Sequence, residues 1–290
     1  MSSTQVGGID RRWVYLLVAV GALLPILIPM GLPIQTTPAV EALFDRIEGF
    51  GPTDVVMLSF DYGPSSAPEL DPMADAILRH CFRRNIRLIV LALFPLGGPN
   101  MAQGSLGRVT PGFPLEEGRD FVYLGYKDGA QAVMRRMAED ISAAFPRDHR
   151  GIPLTDLPLM QEVTNYQHID VAVSLATGIL GEYWANLVNA QFGQTVAVGA
   201  TAVSAPKYYT YLKAGQMIGL LGGLKGAAEY EELLGRTYPE LRDKALVARR
   251  GMDVQSIVHL IIIAFILLGN LFYLFSRAER SRAGGRLGSH

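Results

Sequence analysis

The sequence predicts an α/β domain with a doubly wound, mostly parallel Rossmann-like sheet, flanked by two transmembrane helices. Three observations carry this. Strand-length runs that are apolar almost throughout, such as Val55–Phe60 (VVMLSF) and Ile86–Leu93 (IRLIVLAL), recur along the middle of the chain; strands buried on both faces read this way. Segments with helical periodicity separate these runs, and strand–helix–strand alternation defines a parallel sheet. At each end lies an apolar run of about 20 residues, enough at 1.5 Å per residue to cross a hydrocarbon core of about 30 Å.

The first apolar run, Trp13–Pro33, contains no charged side chain. No small-residue cleavage site follows it, so it reads as an uncleaved anchor rather than a signal peptide. Pro25, Pro29 and Pro33 are four apart and would share one helix face. Each removes a backbone donor and clashes with the preceding turn. Two readings stand open: a kinked helix packed against a partner span, or a helix that ends near Pro25 or Pro29 and continues as an interfacial segment.

Past a short polar exit, Val40–Ile47 reads as a short amphipathic helix that Gly49–Pro52 interrupts. Strand Val55–Phe60 follows. A helix over Pro68–Arg84 places Leu70, Met73, Ile77, Leu78 and Cys81 at core spacing, and Ile86–Leu93 is the next strand. Pro95–Gly118 is rich in Gly and Pro and reads as loop. Phe121–Gly125 is a short strand, and Gly129–Phe145 a helix with Val133, Met137 and Ile141 on one face. Strand Ile169–Ala176, helix Glu182–Phe192, strand Thr195–Val203 and a helix beginning at Tyr208 continue the alternation. Gly215–Gly226 is glycine-dense and Ala227–Leu234 helical. The second apolar run, Ile257–Phe275, also lacks charge.

The expected organisation is a cytoplasmic tail (1–12), a span (13–33), an extracytoplasmic α/β domain (34–256), a second span (257–275) and a second cytoplasmic tail (276–290). The positive-inside rule sets this topology. Arg11 and Arg12 precede the first span, and Arg277, Arg280, Arg282 and Arg286 follow the second. Arg242, Lys244, Arg249 and Arg250 before the second span leave that span balanced, so the first decides. The expected location is the inner (plasma) membrane.

Formal net charge is −1, which gives no bulk electrostatic case for nucleic acid. The single cysteine, Cys81, excludes an intrachain disulfide and a multi-cysteine metal site. None of the five histidines stands in zinc-enzyme spacing with another histidine or an acid. No metal and no cofactor is expected.

In doubly wound sheets ligands bind outside the carboxyl ends of the strands. The segments after the strands therefore supply the ligand-binding candidates: Asp61, Ser65, Ser66, Gly97, Gly98, Thr177, Gly178 and Thr201. Asp61 is the sharpest. A carboxylate ending a buried strand can act as base, nucleophile or metal ligand; the alternative is an acid that caps the turn through Tyr62–Ser65. Ser65 and Ser66 precede a helix and could equally be N-caps. Glu69, Asp71 and Asp75 would repel a phosphate there. Gly219–Gly226 (GLLGGLKG) is not a phosphate loop, because Leu224 separates glycine from Lys225 and Gly226 replaces the hydroxyl. It reads as a close-packing or hinge segment, or as a surface presenting Met217, Leu220 and Leu221 to a membrane or partner. Asn270, inside the second apolar run, can hydrogen-bond to another membrane helix; with Pro25, Pro29 and Pro33 it completes the partner-contact candidates.

The segments SFDYGPSSAPELDPMADAILRHCFRR (59–84) and GQMIGLLGGLKGAAEYEELL (215–234), with an apolar run at each end, resemble a family of uncharacterised bacterial two-span membrane proteins with a Rossmann-like domain between the spans. The resemblance covers nearly the whole chain and implies architecture, not activity.

With no complete catalytic set, the sequence points to a non-catalytic accessory or scaffold subunit of a membrane assembly, its α/β domain docking or binding a ligand. Its partners would be the bilayer and other membrane subunits, or further copies of itself. The alternative is a membrane-anchored hydrolase or transferase using Asp61.

Overall fold

The computed structural model describes residues 11–28, 31–244 and 247–286. These form two compact units: Pro33–Arg249, and a smaller one made of the described residues on either side of it. In chain order the elements are α1 (Arg11–Leu27), α2 (Pro38–Glu48), β1 (Val55–Asp61), α3 (Ala67–Arg83), β2 (Arg87–Ala92), α4 (Gly98–Val109) and β3 (Phe121–Tyr126). Then come α5 (Ala130–Glu139), α6 (Ile141–Ala144), α7 (Pro158–Glu162), β4 (Val171–Ala176), α8 (Leu180–Tyr183), α9 (Ala190–Phe192), β5 (Val196–Ala200), α10 (Ala205–Lys213), β6 (Gly219–Gly222), α11 (Gly223–Thr237) and α12 (Val247–Arg286).

The six strands form one sheet in the order β3-β2-β1-β4-β5-β6, and every neighbouring pair is parallel. This is the doubly wound order, and the chain reverses direction across the sheet between β1 and β4. Side chains alternate across each strand. Val55 and Met57 pack into a large apolar cluster with Ile89, Val122, Met134, Met137 and Trp184, drawn from β2, β3, α5 and the segment after α8. The opposite face is covered by α2, α3, α4 and α11, which pack on one another and on the sheet.

Three segments differ from the sequence reading. Pro95–Gly118 contains α4, not only loop. Ala102, Ser105, Leu106 and Val109 are buried at helical spacing, and a parallel crossover from β2 to β3 needs such a helix. Gly129–Phe145 is two helices. Asp140 is extended between them, and its carboxylate accepts the Ser142 amide at 2.8 Å, capping α6. Gly215–Gly226 is a close-packing segment that also carries regular structure: it holds edge strand β6 and the start of α11, and Met217, Leu220 and Leu221 are buried rather than presented on a surface. The glycine density has a packing cause. A Cβ at Gly219 would lie 2.7 Å from the Leu43 Cβ of α2, so glycine lets that helix rest on the strand.

A buried polar network joins α2, α3 and α11. His80 Nε2 lies 2.8 Å from Glu48 Oε2, and its Nδ1 lies 2.8 Å from Tyr230 Oη. The imidazole stacks on Phe44 at 4.5 Å between centroids, and Tyr238 Oη donates to Glu48 at 2.9 Å. Nearby, buried Glu231 accepts the amides of Ala248 and Arg249 at 3.1 and 3.0 Å. Those are unpaired donors of the first turn of α12, which every helix start must satisfy.

Helix α12, which belongs to the smaller unit from Arg250 onward, contains one stretch, Val247–Leu274, long and apolar enough to cross a membrane, with mean hydropathy 2.5 in its most apolar window. Helix α1 is 17 residues long and includes Pro25. At 1.5 Å per residue it measures about 25 Å, short of a hydrocarbon core. Among the described residues the expected pair of flanking spans is thus one candidate span and one shorter apolar helix. The helix stops at Leu27, before Pro29, which lies outside the described residues. Gly21 of α1 faces Ile257 and Ile261 of α12. Buried Asp253 accepts the amides of Gly31 and Leu32 at 3.1 and 3.2 Å.

Two buried groups give stability opposite pH slopes. Burial pushes His80 down to about 4, outweighing its bond to Glu48. Its neutral form favours the fold above the unfolded value of about 6.5, and that contribution is lost as pH falls towards 4. Burial pushes Glu231 up to about 7 from 4.5, against the two amides and Arg79 and Arg249. Its protonated form favours the fold below 4.5, and that contribution is lost as pH rises towards 7. Between about pH 4.5 and 6.5 the two slopes oppose, each ~1.4 kcal/mol per pH unit. Glu231→Gln should therefore make the urea midpoint of the detergent-solubilised chain rise more steeply with pH across this window than in wild type. An unchanged profile would mean that Glu231 is already ionised there.

Candidate functional site: the carboxyl edge of the sheet

Asp61 ends β1 beside β4, at the switch point of the sheet. Its side chain points into the sheet face, alongside Ser59 two residues earlier, and is fully buried. Oδ1 accepts from Ser59 Oγ at 2.7 Å and from the Leu93 amide at 3.2 Å. Oδ2 accepts from Ser174 Oγ at 2.7 Å and from Trp184 Nε1 at 2.8 Å. An ionised carboxylate has about four acceptor positions, and all are taken by the protein. Burial pushes the Asp61 carboxyl up, while the four donors favour its ionised form. It neither caps the following turn nor faces a space that a substrate could enter.

The sequence reading missed Asp61's partners. Ser59 and Ser174 are register partners on β1 and β4. The visible signal is one hydroxyl in each of two otherwise apolar strands, VVMLSFD and VAVSLA. Trp184 opens a π-helical stretch, Trp184–Asn189, between α8 and α9. Wider turns of this kind reposition side chains, and nothing in the sequence marks this one.

The loops over the switch point are packed on each other. Gly97 has φ +112°, and a Cβ there would sit 2.6 Å from Pro64 Cδ; one at Gly98 would sit 2.7 Å from the Phe60 carbonyl oxygen. Close approach of the loops after β1 and β2 explains these glycines, with no phosphate needed. Ser65 is exposed and Ser66 half-buried, and neither side chain caps α3. The Thr177 amide donates to the Asp61 carbonyl at 3.0 Å. The Gly178 carbonyl accepts from Lys207 Nζ, which also pairs with Glu182 at 2.7 Å. Thr201 Oγ1 donates to Ser204 Oγ at 3.2 Å. The eight candidates share one edge, and these contacts tie its loops to the sheet and to one another. Among the described residues no group of three or more His, Cys, Asp or Glu could hold a metal ion.

Among the groups this edge shows to solvent are three large apolar side chains. Leu96 follows β2, Ile179 follows β4 and Val203 follows β5, and they are 75%, 52% and 92% exposed. Two hollows lie elsewhere. One of about 590 Å³ lies beside the end of β3, bordered by Tyr123, Lys127 and His149, with His149 already bonded to Glu117 at 2.8 Å. Another of about 420 Å³ follows α3.

The fold and this edge define a parallel α/β domain of Rossmann-like topology whose switch point is filled by its own side chains. No protein-family model, curated protein or solved structure matches the chain.

Asp61→Asn keeps the shape and turns one acceptor oxygen into a donor, leaving buried donors unpaired. It should cost about 1–3 kcal/mol in urea unfolding, as should Trp184→Phe. A catalytic Asp61 held only loosely would tolerate the asparagine with stability unchanged, and that result would contradict the clamp.

Proposed function

We infer that the chain is a non-catalytic accessory subunit of a membrane assembly, its α/β domain docking a partner subunit through the carboxyl edge of the sheet. The observation that carries the reading is the pairing of a saturated, sealed Asp61 with an apolar rim of Leu96, Ile179 and Val203. An enzyme built on this fold would need an accessible group at the switch point. A sealed carboxylate speaks against the hydrolase or transferase alternative, while exposed apolar groups clustered on one edge suit a binding face.

Helix α12 supplies the membrane anchor in this reading, and α1 supplies a second, shorter apolar segment. In this reading the arginines at the two ends favour cytoplasmic termini and a domain outside the cytoplasm. Asn270 suits a partner within the membrane: it is exposed on α12 and makes no side-chain hydrogen bond among the described residues. Pro25 is buried and Pro33 exposed.

The test is purification of the native chain in mild detergent, with and without Leu96→Glu, Ile179→Glu and Val203→Lys combined. A stoichiometric membrane partner that co-migrates with wild type and is lost from the triple variant, with circular dichroism unchanged, supports the docking edge. Retention of the same partner by the variant, or a chain that always migrates alone, overturns it.

A further inference from the structure

The hollow along α3 has a composition that selects a ligand. It holds about 420 Å³, within the range of small-molecule sites. Its lining is largely apolar: Pro64, Ala67, Pro68 and Pro72 succeed one another along α3 and the turn before it, and Val247 adds a further wall.

Three carboxylates reach this space, and each is already engaged. Asp71 accepts from Tyr62 Oη at 2.7 Å and from Arg108 at 3.1 Å. Asp75 accepts two bonds from Arg108, at 2.9 and 3.0 Å. Glu231 holds the two amides that open α12. Arg79 is different. Its side chain is 13% exposed, and its ion pair, to Asp75 Oδ2, is long at 4.0 Å. That oxygen is already taken by Arg108 Nε. Among the described residues the Arg79 guanidinium donates no hydrogen bond. Five donors in a planar fork, matched to a carboxylate or phosphate, thus line a largely apolar hollow with a long ion pair to Asp75 and no hydrogen-bond acceptor among the described residues.

A simple anion would satisfy Arg79, yet it would enter a space that the carboxylates of Asp71 and Asp75 also line. A simple cation would suit the carboxylates and leave Arg79 unmet. We propose that the α3 hollow binds a small zwitterion of the amino-acid type, an ammonium a few atoms from an oxyanion on an apolar body. The oxyanion accepts from Arg79, the ammonium lies against the acidic side formed by Asp71 and Asp75, and the body rests on the prolines. A free amino acid and a phosphoethanolamine headgroup share this chemistry. The proposal does not rest on the docking reading, and loss of a partner at the carboxyl edge leaves it standing.

Calorimetric titration of the detergent-solubilised full chain tests it with L-leucine, 4-methylvalerate (no ammonium), isoamylamine (no carboxylate) and glycerophosphoethanolamine, the phosphodiester form of the headgroup. The expected result is saturable binding of a zwitterion, with each single-charge analogue weaker by about tenfold or more. Leucine binding tighter than glycerophosphoethanolamine identifies a free amino acid, and the reverse a lipid headgroup. Arg79→Gln should abolish binding. Ala67→Phe, which fills the hollow without touching a charge, should do the same with the circular dichroism of wild type, and decides the matter if Arg79→Gln fails to fold. A single-charge analogue binding as well as leucine, binding unaltered by Ala67→Phe, or no binding of any probe up to about 10 mM overturns the proposal.

Discussion

The buried carboxylate of Asp61 is the constraint on which the carboxyl edge depends. Taking a carboxylate out of water costs several kcal/mol unless its acceptor positions are filled, and here four donors from four places fill them. Ser59 comes from the same strand, Ser174 from the neighbouring strand, the Leu93 amide from the end of β2 and Trp184 from the π turn. Each donor is in turn buried and needs the acceptor. Strand register at β1–β4, closure of the loop after β2 and the position of the π turn are thereby one coupled arrangement.

The two faces of the sheet are held by different physics. On the side of α5 to α9 the contacts are mostly apolar, with Trp184, Tyr166, Met134 and Met137 in one cluster. On the side of α2, α3, α4 and α11 apolar packing is interleaved with charge. Glu48, His80 and Tyr230 form one network, Asp75 and Arg108 a second, and Glu231 and Glu232 a third with the first turn of α12. Such networks fix geometry more than they add stability. The side that carries them also carries the start of α12 and the α3 hollow.

Much of the sheet was legible in the sequence because its strands are apolar on both faces and stop at turn residues. Val55–Phe60 and Ile169–Ala176 needed no tertiary information. Helix α4 was hidden because Gly98, Gly104 and Gly107 lower its propensity, and only the crossover from β2 to β3 demands it. Strand β6 was hidden because four residues, two of them glycine, carry no periodicity; the neighbouring strand and α2 make it a strand. At the site, the position of Asp61 was readable from its place after a buried run. Its environment was not, since Trp184 lies more than a hundred residues away and reaches it through a local widening of a helix.

The filled switch point also bears on how such a chain can change over generations. Opening the crevice for a nucleotide would require removing Trp184, Asp61 and the close loop contact at Gly97 together. Each loss alone strands a buried partner or a void and lowers stability before any new binding can be selected. The domain is held in its present form by a valley between two workable sequences, and novelty arises more readily at its exposed edges and along its helices than at the place where folds of this topology ordinarily acquire their chemistry.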